Sequence, residues 1–175
     1  MDERSVDIVK DIFLTDYFMI KGLVETGGSR LSDYLTRLRR SYVRLHNVTL
    51  IDLLDGTSVS APEAMIQKKE IILAHELLDI AGDATLRQMV DKRSFSLWVD
   101  LYHTGNVGMQ IRGRIRPEIY EEIDIKREFF VVRDVTVRGI NVTVNPQLKR
   151  LSSLPYAIIN KQQINYIFSD PPAKE

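Results

Sequence analysis

Residues 42–50, Tyr42-Val43-Arg44-Leu45-His46-Asn47-Val48-Thr49-Leu50, decide how this chain folds, together with residues 129–137, Phe129-Phe130-Val131-Val132-Arg133-Asp134-Val135-Thr136-Val137. Val, Thr, Tyr and Phe dominate both, as pleated, half-buried surfaces favour. Apolar residues alternate with a period of two. Val43 and Leu45 point one way, as do Phe130 and Val132. After Asn47 and Asp134 the apolar phase moves to Val48 and Leu50, and to Val135 and Val137. One extra polar residue at the same place in each stretch predicts a bulge or tight turn there.

The correspondence extends outward in both directions. Upstream, Ile20-Lys21-Gly22-Leu23-Val24 matches Ile111-Arg112-Gly113-Arg114-Ile115, and each is followed by a polar turn and a short mixed segment, Arg30 to Leu35 and Glu118 to Ile123. Downstream, Pro62-Glu63-Ala64-Met65-Ile66-Gln67-Lys68 stands against Pro155-Tyr156-Ala157-Ile158-Ile159-Asn160-Lys161. It runs on as Ile71-Ile72-Leu73-Ala74 against Ile164-Asn165-Tyr166-Ile167. The offset drifts from 87 (Tyr42 to Phe129) to 93 (Ile71 to Ile164), and changes only in expected loops. Four blocks in one order predict a tandem duplication of a β-rich module of about sixty residues.

The expected organisation is a first β module with an N-terminal extension over 1–76, a helical linker over 77–94, a second β module over 95–169 and a disordered tail over 170–175. Ala84, Leu86, Met89 and Val90 have near-helical spacing in the linker, and Asp83 suits a cap. The N-terminal stretch reads two ways: Val6, Val9, Ile12 and Phe13 form one apolar helix face or lead into a strand. The segment before the second copy, Phe95 to Leu101, reads as a strand. The apolar segment from Tyr156 to Ile167 is the expected sheet edge.

Residues Ile159-Asn160-Lys161-Gln162-Gln163-Ile164-Asn165-Tyr166-Ile167 resemble the second sequence motif of the Sm-like family, in which a polar turn joins two short apolar strands. Ile66-Gln67-Lys68-Lys69-Glu70-Ile71-Ile72-Leu73-Ala74 occupies the same place in the first copy, and Gly22 or Gly113 suits the family's first strand. The family's usual Arg-Gly in that turn is replaced here by Lys68 and Lys161, and its base-framing Asp and Asn have no counterpart. The whole chain is also similar to uncharacterised bacterial proteins carrying a duplicated small β domain. The resemblance implies a mainly β fold (β-rich α+β): two small antiparallel, Sm-like barrel or sandwich modules in tandem, joined by a short helical linker. It also implies RNA binding as a candidate activity.

Composition narrows the chemistry. At 175 residues, 44% hydrophobic and 27% charged, the chain has enough apolar material for a packed core. It has no cysteine, which excludes disulfides, thiolate metal sites and cysteine nucleophiles and fits a reducing, cytoplasmic compartment. The acidic N-terminus, MDERSVDIVKDIFL, reads as neither a signal peptide nor a membrane span. Lys+Arg and Asp+Glu are balanced at 24 each, without the basic excess of a general nucleic-acid binder.

The sharpest local signal is Arg37, Arg39, Arg40 and Arg44, with Tyr42 among them. Arginine forks hold phosphates and stack on bases, so these residues, with Lys68 and Lys161, are the candidate ligand or nucleic-acid site. The alternative reading is a solvated turn between strands. Arg39-Arg40-Ser41-Tyr42-Val43-Arg44 matches the first half of the PilZ cyclic-dinucleotide motif, but Asp55-Gly56-Thr57-Ser58 does not supply the second. His75-Glu76 begins like a zinc-protease helix, but Asp79 stands where the second His belongs. Gly27-Gly28-Ser29 suits a hairpin turn and lacks phosphate-loop spacing. Trp98 and Tyr102 suit ligand stacking or a core or interface role. With no paired acid/base constellation visible, the expectation is a non-enzymatic interaction or assembly module without a cofactor or metal. Its expected partner is a second copy or another protein, with RNA or a nucleotide as the alternative and no membrane.

Overall fold

A computed structural model describes residues 8–26, 30–36, 40–76, 94–122 and 128–170. The expected linker helix falls almost wholly on 77–93, outside the described residues. The first half runs β1 (Ile8–Leu14), β2 (Phe18–Glu25), α1 (Leu31–Thr36), β3 (Tyr42–Asp52), β4 (Ser58–Gln67), a 3-10 turn at Lys68–Glu70 and β5 (Leu73–Glu76). The second runs β6 (Leu97–Thr104), β7 (Gly108–Ile115), α2 (Pro117–Glu122), β8 (Phe129–Arg138), a 3-10 segment at Pro146–Ser152, β9 (Leu154–Asn160), a 3-10 turn at Lys161–Gln163 and β10 (Tyr166–Ser169). The protein is mainly β, and the ten strands of the described residues lie in one antiparallel sheet of order β10-β6-β7-β8-β9-β5-β1-β2-β3-β4. Among the described residues the sheet is open: β10 and β4 each have one neighbour, and hydrogen bonding does not close it into a barrel.

Within each half the last strand lies beside the first. Two local geometries recur at the positions marked in the sequence. The β2–β3 register shifts between Lys21 and Leu23, and the β7–β8 register between Arg112 and Arg114. Asn47 and Asp134, both at φ 50°, are the described non-glycine residues with positive φ, a conformation that Asn and Asp tolerate better than other side chains. Gly22 and Gly113 sit at the register shifts. A Cβ on Gly113 would lie 2.4 Å from Val132 Cγ1 and 2.8 Å from Arg133 O, and one on Gly22 would lie 3.1 Å from Leu45 Cβ. The glycines therefore allow the bulged strand to close on its neighbour.

The junction of the halves is the pairing of β5 with β9, Leu73 opposite Ile159 and Ala74 opposite Ile158. Strands near it are buried on both faces, because each half supplies apolar cover to the other. Ile12, Leu14, Leu73 and Ile159 join the larger core with Val99, Leu101 and Ile111 of the second half. Phe13, Ala74 and Ile158 face the smaller core, which also holds Leu31, Leu35, Val43 and Leu45. This two-sided burial explains why Ile12-Phe13-Leu14 has no strand-like alternation and reads equally as helix; the segment is strand β1. At roughly 1.5–3 kcal/mol for each fully buried large apolar side chain, β1 contributes strongly to both cores.

The segment expected as an edge divides into two. Its first part is β9, an interior strand covered by β5, and only β10 is an edge. The difference arises because an edge in one half is filled by a strand from the other, which strand periodicity does not record.

Candidate interaction site: a groove on β3–β4 and two open strand edges

Tyr42, Arg44 and His46 alternate with buried Val43 and Leu45 along β3, so they share the opposite face. Met65, opposite Arg44 on β4, joins them. With Arg40, Tyr34 of α1 and Glu25 of β2 they line an open groove of about 600 Å3. Tyr42 and Met65 are 44% and 55% exposed. Arg44 Nε lies 3.3 Å from Glu63 Oε1, and His46 stands 3.9 Å from Glu25 and 3.8 Å from Glu63. The groove thus joins two arginines, two tyrosines and a methionine to carboxylates already engaged at its rim.

Of the sequence-expected site residues, the fold brings Arg40, Tyr42 and Arg44 together here. Arg37 and Arg39 lie outside the described residues. Lys68 and Lys161 do not line the groove. Lys68 is only 5% exposed, with its ammonium 5.8 Å from the Phe129 ring centre, so it packs across the junction of the halves. Lys161 opens the 3-10 turn before β10, where its N–H donates to Glu128 O at 2.9 Å. Gly27-Gly28-Ser29 also lies outside the described residues.

The two free edges differ in character. On β4, Val59 and Met65 are exposed and Pro62 interrupts the donors. On β10, Tyr166 and Phe168 are 58% and 60% exposed, and Phe168 meets Tyr102 edge-on at 5.7 Å. Nearby, Trp98 carries the guanidinium groups of Arg112 and Arg114 at 5.2 and 5.6 Å from its ring centre. Arg112 is bound by Asp100 and Asp170, and Arg114 by Asp134, so this face is neutralised locally.

Two polar sites escaped sequence reasoning. His103, 6% exposed, bridges the halves: Nε2 lies 2.9 Å from Asp16 Oδ1, and Nδ1 lies 2.7 Å from Gln163 O. Asp16 also accepts from the N–H groups of Asn106 (2.7 Å) and Val107 (3.2 Å). Burial pushes its carboxyl up, but the hydrogen bonds from Asn106, His103 and Val107 outweigh this and leave it below its ordinary value. The second site is Asp11, fully buried opposite Glu76, with neither carboxyl oxygen hydrogen-bonded. Burial, then the Glu76 charge, push Asp11 up to about 9. Glu76 itself accepts from Leu31 N (2.6 Å) and Tyr156 Oη (3.2 Å). A lone Asp in an apolar strand was the only available signal, and its burial depends on β5 and β2 arriving beside it.

Among the described residues no cluster of three His, Cys, Asp or Glu is placed to hold a metal ion, and no helix is long and apolar enough to cross a membrane. No protein-family model, curated protein or solved structure matches this chain.

Proposed function

We propose that this protein is a non-enzymatic assembly module: a tandem duplication of one five-stranded, Sm-like unit that joins to further copies through its strand edges. One observation carries the reading. The halves are joined by pairing the fifth strand of one (β5) to the fourth of the other (β9), and the strands in these same positions at the sheet ends, β10 and β4, each leave their outer edge without a partner strand among the described residues. Recurrence of the Gly22/Gly113 register shift and the Asn47/Asp134 conformation supports the duplication. The 3-10 turn before β10, within the segment that resembles the Sm-like second motif, supports the kinship.

An unpaired edge is a template for another chain. A fifth strand meeting a fourth strand of the next copy is a head-to-tail contact, which propagates into a ring or a filament. Repeating the β5–β9 register places Ile167 opposite Met65 of the next copy, and Tyr166 opposite Ile66. The chain lacks cysteine, so Met65→Cys with Ile167→Cys tests this pairing cleanly. Cross-strand Cα separations of about 4.5–5.5 Å lie within disulfide reach. The double variant, oxidised, should give a ladder of multiples of 20.2 kDa on non-reducing gels, and neither single variant should extend beyond a dimer. A wild-type particle that stays monomeric by light scattering at high concentration, with no ladder, defeats the proposal.

A second reading, a nucleotide or RNA binder, is favoured by the meeting of Arg40, Tyr42 and Arg44 in the groove. It requires salt-dependent affinity for single-stranded RNA that is lost in Arg40→Ala with Arg44→Ala. Absence of binding at low salt removes it.

A further inference from the structure

We propose that the β3–β4 groove is the receptor for the acidic helix α2 of a second copy. This rests on the assembly reading and adds to it the face that is covered and the element that covers it.

The template is again inside the chain. Helix α1 of the first half lies against β8 of the second, and its Leu31 and Leu35 share a core with Phe129 and Ile158, onto which Val131 packs. Phe129 pairs with Asn160 and Val131 with Ile158, as Tyr42 pairs with Gln67 and Arg44 with Met65. The surface covered by α1 is therefore, position for position, the surface that Tyr42, Arg44 and Met65 leave open in the first half.

The occupant follows from the same correspondence. The helix in the place of α1 is α2, Pro117-Glu118-Ile119-Tyr120-Glu121-Glu122. Its Ile119 is buried, as Leu31 is, while Glu118, Tyr120 and Glu121 are exposed. Chemistry changes together on both sides. Where the receptor is apolar (Phe129, Val131, Ile158), the docking helix is Leu-Ser-Asp-Tyr-Leu-Thr with one acid. Where the receptor carries Arg44, with Arg40 beside it, the corresponding helix carries three acids. Across the internal junction Lys68 lies over Phe129; the matching pair is Lys161 of one copy and Tyr42 of the next. An acidic helix meeting a face with two arginines gains affinity and sets the head-to-tail direction.

The test is sedimentation equilibrium of the full chain with two charge-reversed variants at exposed sites, each checked for wild-type circular dichroism. Arg40→Glu with Arg44→Glu reverses the receptor, and Glu118→Lys with Glu121→Lys reverses the helix. Each alone should weaken self-association at least tenfold, and an equimolar mixture should regain it, because each variant then meets its complement. Wild-type-like association of both variants, or a mixture that is not rescued, overturns the groove assignment while the Met65–Ile167 cross-link still reports on edge pairing. Absence of both association and cross-linking in the wild type fails the assembly reading itself. A single-stranded RNA that binds wild type but not Arg40→Glu with Arg44→Glu, with association unchanged, assigns the groove to nucleic acid and also overturns the proposal.

Discussion

Replacing Asp11 by valine should make the protein more stable and remove much of its pH dependence. Asp11 is wholly buried in β1 between Gly22 and Glu76, with both carboxyl oxygens unpartnered. Its folded-state pKa is pushed up to about 9, from 3.8. Between these values the folded state holds a proton that the unfolded chain releases, so stability falls as pH rises, by about 1.4 kcal/mol per pH unit. The contribution is complete below 3.8 and lost as pH climbs toward 9. About three pH units separate 3.8 from neutrality, so carrying this proton costs about 4 kcal/mol at pH 7. The second half places Val99, also fully buried, where β1 has Asp11, as the Gly22 and Gly113 pairings show. Asp11→Val therefore imports a side chain of similar shape that the same strand position already accepts. Urea unfolding by circular dichroism at pH 5, 6, 7 and 8, at one fixed protein concentration, should show a gain of about 2–4 kcal/mol at pH 7 and a flatter pH profile. A variant no more stable than wild type at pH 7, or one with an unchanged slope, refutes the reasoning.

Other substitutions probe features the halves share or that bind them together. Gly113→Ala forces a Cβ against Val132 and the Arg133 carbonyl, and should cost about 1–3 kcal/mol by thermal or urea unfolding. Gly22→Ala, with its nearest contact at 3.1 Å, should cost less. Asn47→Ala and Asp134→Ala place alanine at φ 50° and should each lose about 1 kcal/mol, whereas glycine at either site should be tolerated. Asp16→Asn weakens the charge-assisted bonds to His103, Asn106 and Val107 and should cost about 1–3 kcal/mol at pH 7. Because the Asp16 carboxyl lies below its ordinary value in the folded state, its contribution is present above about pH 4 and lost as pH falls through the folded value; acid titration of wild type and Asp16→Asn should converge there.

Interaction chemistry and packing overlap closely in this chain. Tyr42 and Phe129 hold the same strand position, yet one is exposed and the other buried beneath the first half. Likewise Arg44 corresponds to Val131, and Met65 to Ile158. The open face of the first half carries Arg44 between Tyr42 and Met65, whereas the covered face of the second half is apolar at all three positions. Lys68 and Lys161, matched in the sequence as candidate ligand residues, differ in the same way: Lys68 is buried at the junction, and Lys161 opens the 3-10 turn before β10.

Alternation along residues 42–50 and 129–137, the break at Asn47 and Asp134, and the glycines at 22 and 113 were all legible in the sequence, because strand period and positive φ are local properties of the chain. Arg40, Tyr42 and Arg44 were legible as a cluster for the same reason: they lie close in sequence, Tyr42 and Arg44 on one face of β3 and Arg40 just before it. The two-sided burial of β1, the interior place of β9, the Asp16–His103 bridge and the buried Asp11 were not. Each depends on contacts between residues far apart along the chain, such as Leu73 with Ile159 or Asp16 with His103. The tertiary structure alone decided which strand edges are filled and which stay open, since a strand's own hydrogen-bonding groups are the same whether or not a neighbour reaches them.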